Sequence, residues 1–124
     1  MTDMTVSFID IGSDVERDAL YDLRFRVLRE PLGLPRGTER IAQDDDAATV
    51  HIGAFTAEGQ LVGAATLIEN DGLQLRAMAV EPTLQGKGVG AAILVEAARV
   101  AAERGAALWC DARDHAVGFY EKAG

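Results

Sequence analysis

Cysteine occurs once, at Cys110, and histidine only at His51 and His115. One thiol cannot close an internal disulfide, and this set is too small for a Cys/His zinc site, so disulfide scaffolds and metal modules are excluded and a cytoplasmic, reducing location is expected. Positive charge is also scarce: 12 Lys and Arg against 20 Asp and Glu leave a net charge of −8, with lysine confined to Lys87 and Lys122. Such a chain is repelled by phosphate backbones and anionic lipid, which argues against nucleic-acid and membrane partners. No apolar run approaches the ~18 residues of a membrane span, and the N-terminal MTDMTVSFID carries acids where a secretion signal needs bases. What is present is 124 residues, 48% apolar and 26% charged, the balance of one soluble globular domain spanning 1–124.

Residues 5–11 are rich in β-branched and aromatic types and end at Gly12, which predicts a first strand. Ser13 and Glu16 have capping-box spacing, and Val15, Ala19, Leu20, Leu23, Val27 and Leu28 fall on one helical face, so a helix is expected from there to Pro31. PLGLPRG, with two Pro and two Gly, reads as a shaped loop, and residues 37–46 as a short helix or irregular segment. Two strands, 49–55 and 61–68, flank a turn at Gly59. Asn70, Asp71 and Gly72 then mark a second turn before LQLRAMAV, where Leu73, Leu75, Ala77 and Ala79 are expected on one face. After Val80 the period changes to helical, with Ile93, Leu94, Ala97, Val100 and Ala101 aligned and Gly105 as the stop. A strand over 108–111 and a helix capped by Asp114 complete an α/β (α+β) order: an antiparallel meander, a right-handed βαβ crossover and helices on both faces of a mixed twisted sheet.

The segment EPTLQGKGVG lies between a strand and a helix, and three Gly at alternate positions let a ligand approach the backbone beside free helix amides. A P-loop is excluded because Lys87 is followed by Gly88 rather than by Ser or Thr. Gly86, Gly88 and Ala91 satisfy a Rossmann fingerprint, but five residues separate Val80 from Gly86, and the chain after Gly90 is too short for a dinucleotide fold. A glycine-rich helix start without any ligand satisfies the same residues.

MAV-EPTLQGKGVG resembles the acetyl-CoA signature of the GNAT N-acetyltransferase superfamily, Q/R-x-x-G-x-G/A after an M-A-V-like strand end, with Gln85, Gly88 and Gly90 in its fixed positions. GFYEKAG resembles the same superfamily's final helix, and the element order agrees over nearly the whole chain. The resemblance implies a GNAT fold and transfer of acetyl from acetyl-CoA to a primary amine of a small molecule or peptide, with no metal. It implies coenzyme contacts at Met78, Ala79, Val80, Gln85, Gly86, Lys87, Gly88, Val89 and Gly90, a backbone N–H near Met78 facing the thioester oxygen, and Tyr120 as the acid for the leaving thiolate. A non-catalytic acyl-CoA-binding sensor is the alternative, because the strand before the turn carries Gln74 and Arg76 where many relatives place a Glu base. Glu69 and Asp71 are the nearby candidates for that base.

Other polar residues receive plainer readings. His51 is read as a satisfied structural histidine, residues 44–46 (Asp44, Asp45, Asp46) as a solvated run, and Cys110 as a buried strand thiol. Arg24, Arg26 and Arg29 lie where relatives build the acceptor site and suggest an acceptor bearing a carboxylate. Arg113 replaces an Asn of many relatives, and that role is not carried over. Relatives continue past the last helix with two further strands, and the comparison with them leads to the expectation that these are missing here. An uncovered strand edge is then expected to draw a homodimer or to limit solubility.

Overall fold

A computed structural model describes residues 4–110, which form one five-stranded sheet in the order β1-β2-β3-β4-β5. Strand β1 (Met4–Phe8) pairs antiparallel with β2 (Val50–Thr56), β2 with β3 (Leu61–Glu69), and β3 with β4 (Leu73–Val80). The turns use the expected residues, with Gly59 at φ 86° and Asp71 and Gly72 at φ 55° and 103°. Strand β5 (Leu108–Trp109) is parallel to β4 and, among the described residues, pairs at Leu73↔Leu108 and Gln74↔Trp109. Among the described residues, β4 beyond Gln74 therefore has no strand partner on that edge. The expected helix at Asp114 lies outside the described residues.

Helix α1 (Asp14–Arg24) covers one face of the sheet and α2 (Val89–Arg104) the other. The Ser13 hydroxyl caps α1 by accepting from the Glu16 N–H at 3.3 Å, while the Glu16 carboxylate accepts from Asp10 N–H at 3.1 Å, so the box closes three residues earlier than its usual form. Leu20 and Leu23 are buried under α1, but Val15 is 80% exposed and does not belong to the apolar face as expected. The helical path continues past Arg24 as one π turn (Phe25–Arg29) and one 3₁₀ turn (Glu30–Leu32) that stops at Gly33, φ 75°. Residues 33–49 contain no helix. Helix α2 packs Val89, Ile93, Ala97 and Val100 on the sheet and stops at Gly105, φ 63°. None of the described helices is long and apolar enough to cross a membrane.

The expected face of β4 is corrected by a bulge. Between the pairs Ala64↔Ala79 and Thr66↔Arg76, β3 has one residue, Ala65, and β4 has two, Ala77 and Met78. Ala77 absorbs the extra residue at φ 56°, a left-handed conformation that is strained for a residue with a Cβ. A one-residue slip exchanges the two faces of a strand. Leu73 and Leu75 consequently lie in the core under α2, whereas Ala77 and Ala79 pack on the α1 side.

Candidate functional site

The bulge of β4, the strand end at Val80 and the glycine-rich turn form one continuous stretch of chain. After Val80 a 3₁₀ turn (Pro82–Leu84) leads to Gly86 and Gly88 at φ 80° and 89°, and α2 starts at Val89. A Cβ placed on either glycine meets no heavy atom within 4 Å, so open space lies beside the backbone at both positions. Gly88 caps α2 without a side-chain hydrogen bond, and the first bond of the helix ladder runs from Ala92 N–H to the Gly88 carbonyl at 3.0 Å. The amides before it point from a helix N-terminus that favours anions. Gly63 brings this helix end close to the sheet: a Cβ there would stand 2.7 Å from Val89 Cγ1 and 3.0 Å from Ile93 Cδ1.

Side chains brace this backbone rather than fill it. The Gln85 amide donates to the Val80 carbonyl at 3.1 Å, folding the turn against the strand end, and Lys87 is exposed. Met78 and Ala79 are buried, on opposite faces of β4 just past the bulge. Glu81, one residue beyond β4, is held by Arg26 of the π turn: Nη2 donates to Oε1, and Nη1 to Oε2 at 3.2 Å. Arg26 Nε also donates to Asp22 at 2.7 Å. Hydrogen bonds to Glu81 and Asp22 hold the Arg26 pKa above its usual value, and the Arg26 bond holds the Asp22 carboxyl below its own. This clasp ties α1 to the start of the turn, and no local spacing signalled it because its partners are 55 residues apart.

A second polar group, under α1, corrects two expectations. Asp44 is not solvated: it is 2% exposed and accepts both Nη atoms of Arg24 at 2.8 and 3.0 Å, the Ile41 N–H at 2.9 Å and the Tyr21 hydroxyl at 3.1 Å. Arg24 also donates to the Glu39 carbonyl and to Thr66 Oγ1, so the buried guanidinium holds the loop and is not available to an acceptor. Arg29 is likewise engaged, with the Thr38 carbonyl at 3.0 Å. Asp45 and Asp46 are exposed, as expected of solvated acids.

His51 is buried, as its structural reading requires, with Nε2 3.0 Å from the Asp44 carbonyl and Nδ1 2.8 Å from Thr66 Oγ1. A carbonyl only accepts, so Nε2 carries the proton, and a neutral ring then accepts from the Thr66 hydroxyl that Arg24 polarises. Burial first, and Arg24 among the nearby charges, lower the His51 pKa against the opposing carbonyl and carboxylates of 44 and 45. For Asp44, burial raises the pKa, but the Arg24 and Ile41 hydrogen bonds outweigh it and the net shift is downward. Arg24 Nε is the one buried side-chain polar atom without a partner among the described residues.

Glu69 and Asp71 are exposed, Glu69 lying 4.0 Å from Arg104, and Gln74 accepts from Asn70 at 3.0 Å. Cys110 is half-buried, at the end of the described residues. Tyr120 and Arg113 lie outside them.

With that geometry in place, the acetyltransferase (GNAT) family model matches residues 17–124. A Bacillus subtilis (strain 168) protein described as the uncharacterized N-acetyltransferase YitI is 29% identical over 113 residues, covering 84% of this chain and 74% of that protein. An acyl-CoA N-acyltransferase from Pseudomonas aeruginosa has the same fold, with a TM-score of 0.76 at 24% identity over 100% of this chain and 86% of that one. An aminoglycoside 6'-N-acetyltransferase solved with coenzyme A gives 0.78 at 20% identity, over 97% and 83%.

Proposed function

Because this chain belongs to the GNAT acetyltransferase family and is an acyltransferase, we propose that it transfers acetyl from acetyl-CoA to a primary amine of a small molecule or peptide by direct attack. The observation that carries this reading is the continuity of a bulged strand with an open glycine turn at a helix N-terminus, β4 beyond Gln74 having no strand partner on the β5 side among the described residues. That donor set fits a pyrophosphate, because Gly86 and Gly88 leave backbone where a Cβ would stand.

In the proposed mechanism the amides of Gly86, Gly88, Val89 and Gly90 hold the pyrophosphate, with the Lys87 side chain beside them, because the Gln85 and Lys87 N–H groups already donate to the Pro82 and Leu84 carbonyls at 3.4 and 3.2 Å. The edge of β4 at Met78, Ala79 and Val80 holds the pantetheine arm. Acetyl-CoA supplies an activated thioester. The bulge takes Met78 out of the regular ladder, and its N–H is the donor assigned to the thioester oxygen, where negative charge develops as the amine attacks. The amine gives its proton to solvent water, directly or by way of the exposed Glu69 or Asp71. Tyr120, outside the described residues, is assigned to protonate the departing thiolate.

The test is a melting curve with and without acetyl-CoA, followed by thiol release with an amine panel. A ligand at one hundred times its dissociation constant adds about 2.7 kcal/mol to a protein that binds it only when folded. An unmoved curve sinks the donor assignment. Tyr120→Phe should keep that shift and lower turnover by about 10²-fold, the low end for a general acid, because a thiolate leaves tolerably unaided.

A further inference from the structure

Arg36 and Arg40 line a cleft of about 540 Å³ between α1 and the loop that follows it, together with Asp18, Tyr21, Asp22 and Glu39. Arg24 and Arg26, the arginines first suspected of meeting an acceptor, are already held by carboxylates at ordinary hydrogen-bond distances. Arg36 and Arg40 are arranged differently. The Arg36 guanidinium carbon lies 4.3 Å over the centre of the Phe25 ring, and that of Arg40 lies 5.0 Å over Tyr21. Stacking on an aromatic face orients the guanidinium plane while leaving the N–H donors at its rim available.

Those donors are underused. Both Arg36 Nη atoms reach Asp22 Oδ1 only at 3.5 Å, and Arg40 Nε is 4.0 Å from Glu39 Oε2, against the 2.7 to 3.2 Å of a well-formed bond. The two side chains remain 63% and 68% exposed.

The acids of the cleft are mostly committed elsewhere. Asp22 is taken by Arg26, and Glu39 is buried and accepts from the Gly37 N–H at 2.7 Å. Asp18 is the most exposed of the three, its carboxylate 77% exposed and 3.8 Å from Arg17 Nε. The cleft thus offers two ring-stacked guanidinium forks and one exposed carboxylate, complementary to a molecule that carries both an anion and an ammonium. It also communicates with the coenzyme side, since Asp22 on its wall bonds Arg26, which bonds Glu81 at the end of β4.

We propose that Arg36 and Arg40 form a carboxylate subsite, so that the acceptor is an amine that also bears a carboxylate. The proposal rests on the transferase reading for the word acceptor, but the subsite itself can be read without turnover. The probes are 4-aminobutyrate, its carboxamide, acetate and inorganic phosphate, with the Nε–H resonances of Arg36 and Arg40 followed by NMR. The expected result is that 4-aminobutyrate and acetate shift both resonances, that the carboxamide does not, and that 4-aminobutyrate binding falls about tenfold or more in R36Q with R40Q, the loss of a charge-assisted fork. Both positions are exposed, and an unchanged melting midpoint shows that the double variant is folded.

Equal shifts with the carboxamide, or no shift with either carboxylate, overturn the proposal; phosphate binding without acetate binding overturns the carboxylate assignment. Failure of acetyl-CoA to stabilise the wild type overturns the transferase reading instead, and leaves these resonances to decide the subsite. In turnover, R36Q with R40Q should raise KM for 4-aminobutyrate about tenfold or more with KM for acetyl-CoA unchanged.

Discussion

The buried group at Arg24 and the turn at Gly86 to Gly88 are both polar, and they are built in opposite ways. Around Arg24 the side chains meet one another: the Asp44 carboxylate accepts four hydrogen bonds and His51 uses both ring nitrogens, in a buried region. Around Gly88 side chains are withdrawn or turned back, as Gln85 is onto Val80, and the backbone is left open. Polar groups that satisfy each other hold shape, whereas polar groups left open at a helix N-terminus are free to meet a ligand. The first group pins a loop without helix to the sheet, and the second prepares a surface.

The contrast breaks most sharply at Arg24. Arg24→Met leaves the Asp44 carboxylate buried without its cation, and removing one partner of such a pair costs about 3–5 kcal/mol. Urea denaturation should show that loss, and a cost below about 1 kcal/mol would mean that the pair does not hold the loop. At the turn, Gly88→Val should abolish the stabilisation by acetyl-CoA, about 2.7 kcal/mol under the conditions above. It should also cost the free protein about 1–2 kcal/mol, because φ 89° is a conformation that a residue with a Cβ resists. A normal ligand shift in that variant would reduce the turn to a helix start.

The pH response sharpens the comparison further. The His51 pKa is lowered in the folded protein, so the unfolded chain binds the proton more readily, and the stability this residue contributes is present above pH ~6.5 and lost as pH falls through its folded value. Asp44, also lowered, adds a second loss below pH ~4. The melting midpoint should therefore fall in two stages on acidification, and His51→Gln should remove the first. The smallest effect on stability is expected at the Arg26 clasp, where Arg26 is 38% exposed. Glu81→Gln should cost at most about 1 kcal/mol. Its signature should be a raised KM for acetyl-CoA with kcat nearly unchanged, and Tm as well as both constants at wild-type values would assign the clasp to the surface.

Much of this was readable along the chain. Ser13 and Glu16 begin α1, Gly105 ends α2, Asn70 to Gly72 turn the hairpin, and Gln85 to Gly90 form an open turn, because caps, turn residues and hydrophobic period act over a few neighbours. The bulge left only a faint trace: after Arg76 the alternation of β4 gives way to the apolar run Ala77, Met78, Ala79, Val80. Asp44 looked like its neighbours Asp45 and Asp46, and nothing local distinguishes the carboxylate that folds inward.

The sequence by itself therefore determined the five described strands, the starts of α1 and α2, their order and the glycine turn, since each is decided by local backbone preference and side-chain period. Tertiary structure alone decided which face of β4 changes at Ala77, that Arg24 meets Asp44 across 20 residues, and that Arg26 meets Glu81 across 55. Those outcomes depend on what lies across the sheet or under the helix. A buried charge takes the partner that folding places beside it, and residue type alone does not encode that choice.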